Sequence, residues 1–486
     1  MGGRRSVFMA LIAGAGAGFH SAVTPMAWLD SAHVAFRYAR RISDHGSVRL
    51  LGQAGPVEGF TDPLWTGVLS ALGMLGVHEA NLQPYLGPVL CALVVGLSVL
   101  WVSRARSDLS AAVFVGLLAA SPVLAVSGRS GTDDLFVALL VLCSAWGCSR
   151  AARWAVVPLV ALALSGVLPL VVAIGLAVGH SRRALGWVGA SVIAMTGVRL
   201  AVFGTIWPHA GMRMLQGFEP SVLFAAGQFV PVGMCLGLAG VVVLWRREGD
   251  LVWPLAWPIG TGIVGAGLLW PQDHDFAAVL VPVIPLLGVA AALGLSRLPR
   301  GTMTLSVAGL AILAMDARIT FDEKEAVVGA RQSERAKART MAKFLRWRFA
   351  EGATVVVQTP GMLPYFLRMP TVDLQGLTHT GPTDQAALQA MDPEVMIPQG
   401  AIVSNSATRL SMSDDWDWKS LGTTHVQHAI MQSKDWEVVP VHPTWFNFYM
   451  RDSLPKYPPK WVEIYAREEA QRAAEKKRAE DKAPAR

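Results

Sequence analysis

The sequence predicts a mainly α, polytopic transmembrane helix bundle of about 9 to 11 spans, followed by a small α/β domain. Three observations predict it. Hydrophobic residues make up 52% of the 486 and charged residues only 16%. The apolar residues fall in successive blocks of roughly 15 to 27, many of them long enough for the hydrocarbon core of a bilayer. Beyond about residue 317 the blocks give way to a charged helical stretch and then to short strands and turns.

Taken in order, the apolar blocks lie near 7 to 28, 62 to 77, 85 to 103, 110 to 127, 134 to 148, 154 to 180, 184 to 203, 222 to 245, 251 to 270, 276 to 297 and 302 to 316. Arg4 and Arg5 precede the first block and keep that end cytoplasmic, so Asp30 faces the opposite side. If every block crosses once, Arg246, Arg247, Arg297, Arg300, His180, Arg182 and Arg183 fall inside, as basic residues prefer. Arg104, Arg106, Arg150 and Arg153 then fall outside. Both exceptions vanish if 62 to 77 and 154 to 180, the latter interrupted by Gly166 and Pro169, each enter and leave on one face. Either arrangement has an odd number of crossings, which puts the C-terminal region on the outer side with Asp30.

Four units follow. Residues 1–316 form the membrane module, with a first outer loop at 30–61, and 317–350 form a helical connector decorated by Asp322, Glu323, Lys324, Glu325, Arg331, Glu334, Arg335, Lys337 and Arg339. Residues 351–460 form an extracytoplasmic α/β domain of ordinary size, with strands expected at 353–357, 371–374, 401–404, 436–441 and 446–450. A charged, solvated tail occupies 461–486.

Composition also excludes classes of function. The net charge of +7 is spread over helix ends, with no face of interleaved aromatic and basic residues, so its partners are lipid headgroups and not nucleic acid. Cys91, Cys143, Cys148 and Cys235 lie inside apolar blocks at spacings that suit packed thiols and no zinc site. No nucleotide loop, dinucleotide fingerprint or internal repeat is present, which argues against a transporter built of inverted halves.

The chemistry is placed in the first outer loop. Asp30 stands at the end of the first block and opens the run Asp30-Ser31-Ala32-His33-Val34-Ala35-Phe36-Arg37-Tyr38-Ala39-Arg40-Arg41. A carboxylate there has two readings: a base that takes a proton from a hydroxyl, or an ion-pair partner of Arg37 or Arg40. Arg37, Arg40 and Arg41 are spaced i, i+3, i+4 and share a face if the loop is helical, where they would hold a lipid-linked phosphate or meet anionic headgroups. His33 is a hydrogen-bond donor or an interfacial side chain. Glu58 orients Arg37, contacts an acceptor or shapes the turn before Pro63. Asp133 and Asp134 accept hydrogen bonds from sugar hydroxyls, assist a divalent cation, or cap the next helix. Asp273, beside His274 and Asp275, adds ligand-type oxygens in a segment too short to supply a metal site alone.

The run from Asp30, followed by Val57-Glu58-Gly59-Phe60-Thr61-Asp62-Pro63-Leu64-Trp65, resembles the first outer loop of membrane glycosyltransferases of the C-type fold, in the branch that includes the mycobacterial terminal arabinofuranosyltransferases. That family's pattern reads approximately Asp-Asp-Ala-Tyr-Ile-Ser-Phe-Arg-Tyr-Ala, then Val-Glu-Gly-Tyr-Thr-Asn-Pro-Leu-Trp. Arg199-Leu200-Ala201-Val202-Phe203-Gly204 with Trp207-Pro208, Val281-Pro282-Val283-Ile284-Pro285, and residues 361–377 are similar to later family segments. The resemblance implies transfer of a sugar from a polyprenyl-phosphate donor to a glycan, lipid or protein acceptor at the outer face of a bacterial inner membrane. Asp30 would be its base, Arg37, Arg40 and Arg41 its phosphate holders, and His33, Glu58, Asp133, Asp134, His209 and Asp273 its substrate-side residues.

Departures fall where substrates would sit. The paired acids become Asp30-Ser31, the outer Gly-Leu-Glu-Thr turn becomes Gly131-Thr132-Asp133-Asp134, and the loop after Pro208 reads His209-Ala210-Gly211-Met212-Arg213. Two further classes therefore stay open: a diverged subunit that uses the fold as a scaffold, and a lipid or sugar transporter.

Overall fold

The computed structural model describes residues 2–51, 53, 55–105, 109–119, 122–207, 231–247, 249–269, 281–298, 303–309, 311, much of 328–346, 354–357, 360–373, 378, 395–397, 436–442 and 446–451. Helix dominates. Among the described residues three helices, at 3–23, 81–105 and 182–203, are long and apolar enough to cross a membrane, and shorter apolar helices accompany them. The chain is a membrane protein.

Helix α1 (Gly2–Val23) lies along α4 (Glu79–Ala105). Apolar side chains gain little by leaving lipid for protein, so spans adhere through close backbone approach. Here a Cβ at Gly14 would stand 2.6 Å from the Ala92 carbonyl oxygen, and one at Gly18 would stand 3.0 Å from Ala92 Cβ. Pro88 inside α4 cannot bond the carbonyl of Pro84 one turn back. Arg129 supplies the missing donor through Nη1 at 2.7 Å, while its Nε donates to Thr24 O at 2.8 Å. The turn before α7 is thereby tied to the C-terminal end of α1 and the N-terminal end of α4.

Between α1 and α4 come α2 (Asp30–His45) and α3 (Pro63–Met74). Helix α2 is amphipathic, buries Ala32, His33, Val34, Ala35, Phe36, Tyr38 and Ala39, and stops at Gly46, whose φ of 61° suits a left-handed cap. Phe36 is wholly buried, a gain of roughly 1.5–3 kcal/mol. Helix α3, with 12 residues and a length of about 18 Å, is shorter than a hydrocarbon core.

After α5 (Leu109–Ala119) and α6 (Pro122–Ser127) comes α7 (Asp134–Ser149), which packs on α8 (Val156–Ala163) and α9 (Val167–His180). The block at 154–180 is a hairpin. A Cβ at Gly147 would stand 2.7 Å from that of Ala155, and Cys148 Sγ lies 3.9 Å from Leu176 O, so both ends meet the C-terminal end of α7. Its turn reaches the other end, where Leu64 N donates to Leu164 O at 3.3 Å. Gly166 permits the turn of this hairpin with φ 148°.

Helix α10 (Arg182–Phe203) follows, then α11 (Pro231–Arg247), α12 (Gly249–Leu269) and α13 (Ile284–Leu295). Every residue of α13 is buried, so it runs through the interior of the bundle. Trp253 and Trp257 of α12 pack on α9 and donate to Gly175 O at 2.8 Å and Val171 O at 3.2 Å.

The C-terminal sheet has the order β2-β1-β3-β5-β4, formed by β1 (Val355–Val357), β2 (Thr371–Asp373), β3 (Val395–Ile397), β4 (Trp436–His442) and β5 (Phe446–Arg451). β1 is parallel to β2 and β3, and β5 is antiparallel to β3 and β4. The short helix α14 (Met362–Leu367) connects β1 to β2. Four of the expected strands coincide with β1, β2, β4 and β5. β3 was not expected, and the strand expected at 401–404 and the tail at 461–486 lie outside the described residues.

Candidate functional site at the first outer loop

The loop predicted to carry the chemistry is helical, and Arg37, Arg40 and Arg41 line one cleft of about 380 Å³. Asp44 and His45 of the same helix, His78 before α4, and Tyr365 and Arg368 from the C-terminal region complete its polar lining. The cleft thus lies between α2 and the segment that carries α14.

Asp30 is half-buried beneath that segment. Its Oδ1 accepts from Met362 N at 2.6 Å and its Oδ2 from Gly361 N at 3.1 Å. The carboxylate therefore meets the first backbone N–H groups of α14, where negative charge is favoured. A Cβ at Gly361 would overlap the Asp30 main-chain carbonyl, so this approach requires glycine. Asp30 is absent from the cleft lining, and its charge favours that of Arg37. In this geometry it joins the outer loop to the C-terminal region.

The arginines are also engaged. Arg37 donates to Pro360 O and, at 2.9 Å, to Thr371 Oγ1. Burial works against its charge, whereas Asp373 and Asp30 favour it. Arg40 is paired with Glu79 and donates to the Tyr365 hydroxyl oxygen at 2.6 Å, with its guanidinium 4.6 Å from that ring's centre. The Tyr365 hydroxyl donates to Glu79 Oε1 at 2.8 Å. Burial and Glu79 raise the pKa of that phenol above its ordinary value, so it stays a neutral donor. Arg41 donates Nε to Arg49 O at 3.1 Å, and no carboxylate pairs with it among the described residues.

His33 does not reach the cleft. It is fully buried among Trp28, Phe36, Tyr365 and Phe366, with Nδ1 2.7 Å from Leu29 O. Burial pushes its imidazole down to about 3, so it is neutral and donates from Nδ1 to that carbonyl. Its place is in the packing that seats Tyr365.

Glu58 pairs with Arg199 of α10 and not with Arg37. Arg199 Nε donates to both carboxylate oxygens, at 3.0 and 2.9 Å. Glu58 is 1% exposed, so one buried ion pair fastens the outer loop to α10. Burial raises the Glu58 pKa and the guanidinium opposes that. Nearby, Tyr38 donates to Val57 O at 2.7 Å and accepts from Gly59 N at 3.2 Å, which holds the turn.

Asp133 and Asp134 sit together at the start of α7, without the side-chain capping bond that the sequence suggested for Asp133. The partner of Asp133 is Asp62, at the start of α3. Burial and the neighbouring carboxylates hold Asp133 well above the usual carboxylate range, so it keeps a proton and donates it to Asp62. Thr61 Oγ1 donates to Asp62 Oδ2 at 2.7 Å, and Thr132 Oγ1 to Asp134 Oδ2. Among the described residues no group of three or more His, Cys, Asp and Glu is placed to hold a metal ion. His209 and Asp273 lie outside the described residues.

Sequence reasoning missed Glu79, Tyr365, Arg199, His78 and Arg368 as members of this region. Asp62 had a signal of its own, an acid where the resembled pattern has asparagine. The rest depend on contacts across distant parts of the chain.

A family profile described as "Domain of unknown function (DUF8728)" matches residues 326–474. No curated protein matches the chain. Among solved structures it is similar to ArnT from Cupriavidus metallidurans bound to undecaprenyl phosphate, at 15% identity over 93% of this chain and 99% of that one, with a TM-score of 0.53. The apo state of the same ArnT covers 89% of this chain and 95% of that one at 16% identity and a TM-score of 0.49. The first likeness carries the fold: this chain has the C-type glycosyltransferase architecture that its outer-loop motif resembles.

Proposed function

We propose that this protein is a membrane glycosyltransferase that moves a sugar from a polyprenyl-phosphate donor to an acceptor hydroxyl at the outer face of the bacterial inner membrane. The C-terminal region is then extracytoplasmic and roofs the cleft. The observation that carries the reading is the cleft lined by Arg37, Arg40 and Arg41, in a fold shared with a protein crystallised with undecaprenyl phosphate. In the proposed reaction the acceptor hydroxyl gives its proton to Asp30 as its oxygen attacks the anomeric carbon. The bond from that carbon to the phosphate oxygen breaks, and the electron pair leaves with the phosphate, whose charge the arginines offset. A single displacement inverts the anomeric centre. Each Asp30 oxygen accepts a backbone hydrogen bond, which fixes the carboxylate in place for the proton it is to take.

The test is transfer by the full-length protein in liposomes carrying radiolabelled undecaprenyl-phosphate sugars, with envelope extracts as acceptor. Wild type should transfer label and Asp30→Asn should not, while remaining inserted. One observation favours a second reading, a scaffold without catalysis: Asp30, Arg37 and Arg40 are all bonded to the C-terminal region or to Glu79. A scaffold would show no transfer in wild type, and Asp30→Asn would retain its cellular role.

A further inference from the structure

The arginines that the motif singles out are unequally available. Arg40 is neutralised by Glu79, and Arg37 is spent on Pro360 O and Thr371 with Asp373 and Asp30 nearby. Three other groups face the same cleft from three separate segments. Arg41, on α2, bonds among the described residues through its Nε alone, to Arg49 O. His78, just before α4, lines the cleft, and its buried Nδ1 has no hydrogen-bond partner among the described residues. Arg368, after α14, has no side-chain hydrogen bond or ion pair among the described residues.

The backbone of Arg368 sharpens the point. It has φ 55°, a left-handed cap conformation in which glycine is usual, and its N–H bonds Pro364 O at 3.3 Å. Glycine would end α14 with less strain, yet the residue here is an exposed arginine in the cleft lining. Among the described residues the carboxylate in the cleft lining is Asp44, on the exposed last turn of α2 and bonded to Ser43 Oγ at 3.0 Å.

We infer that Arg41, Arg368 and His78 form the anion seat of this cleft, and that it receives a phosphate group. The inference rests on the transferase reading; of its three phosphate holders it keeps Arg41, releases Arg37 and Arg40, and adds Arg368 and His78 from other segments. Two guanidinium groups on opposite walls, with one imidazole between segments, suit the several acceptor oxygens of a phosphate. A ligand held there also joins α2 to the C-terminal region. Arg37 and Arg40 then act as positioning residues that keep the two walls together.

The test uses the full-length protein in phosphatidylcholine nanodiscs and measures thermal stabilisation by three probes: undecaprenyl phosphate in the bilayer, undecaprenol in the bilayer, and inorganic phosphate in solution. Wild type should be stabilised by undecaprenyl phosphate and not by undecaprenol. Arg41→Gln and Arg368→Gly should each weaken that response about tenfold or more. Glycine suits the φ at 368, so the second variant keeps its fold, and Arg183→Gln, at the end of α10 remote from the Glu58 contact, should respond as wild type. Stabilisation by inorganic phosphate alone, lost in both variants, assigns the seat to free phosphate; its absence assigns the seat to the lipid headgroup. Wild-type responses from Arg41→Gln and Arg368→Gly, or an equal response to undecaprenol, overturn the seat. Phosphate binding without transfer from any donor removes the transferase reading and leaves the seat standing. Transfer with an unchanged donor KM in Arg368→Gly removes the seat alone.

Discussion

Replacing Asp30 by asparagine should loosen the C-terminal region from the outer loop before it touches any chemistry. The carboxylate accepts two backbone N–H groups, at 2.6 and 3.1 Å. A hydrogen bond to a charged group contributes about 1.5–3 kcal/mol, and an amide keeps one acceptor oxygen while placing an N–H₂ against the other donor. Solvent reaches Asp30, which trims the loss to about 2–3 kcal/mol, or roughly 30- to 150-fold in the docking equilibrium. Hydrogen exchange reads this directly: the amides of 361–369 should exchange faster by about that factor, and trypsin should cut after Arg368 sooner. Asp44→Asn, at the other end of α2, should change neither rate. Unchanged protection at 361–369 in Asp30→Asn, within about twofold, would refute the tether and the reasoning that assigns Asp30 a structural bond.

Three more perturbations test other parts of the site. Glu58→Ala leaves the half-buried Arg199 without its charge partner and should lower stability by about 2–4 kcal/mol in detergent melts, less than for a fully buried pair; a loss below about 1 kcal/mol would show that the loop is not fastened there. The Asp62–Asp133 pair has raised pKa values in the fold, so it binds more protons folded than unfolded, and its contribution is full below the ordinary carboxylate pKa and lost as pH rises through the raised one. Asp62→Asn should therefore raise the melting temperature at pH 8, leave it nearly unchanged at pH 4, and flatten the decline between them; an unaltered pH profile would sink the shared proton. Tyr365→Phe removes the hydroxyl between Arg40 and Glu79 and should cost about 1–2 kcal/mol of docking, read by the same exchange at 361–369.

Much of the architecture was legible because it depends on local pattern. Apolar blocks marked the helices, and Gly166 with Pro169 marked the break that became the hairpin of α8 and α9, since a glycine at φ 148° and a proline disrupt helix wherever they stand. The i, i+3, i+4 spacing of Arg37, Arg40 and Arg41 put them on one wall of a cleft once α2 proved helical. Their partners were not legible. Glu58 was expected to orient Arg37, contact an acceptor or shape the turn before Pro63, and the guanidinium that reaches it is 141 residues away. Asp133 looked like a helix cap, and the carboxyl it meets belongs to α3.

Sequence by itself determined the solvent this protein lives in, the helical character of most of its chain and the loop in which charge gathers, because hydropathy and periodicity are properties of neighbouring residues. Tertiary structure alone decided what that charge does. Asp30 meets backbone donors 331 and 332 residues later, and Arg37 meets Thr371, 334 residues away. Hydrogen bonds act over about 3 Å, so their partners are chosen by which surfaces the packed helices bring together.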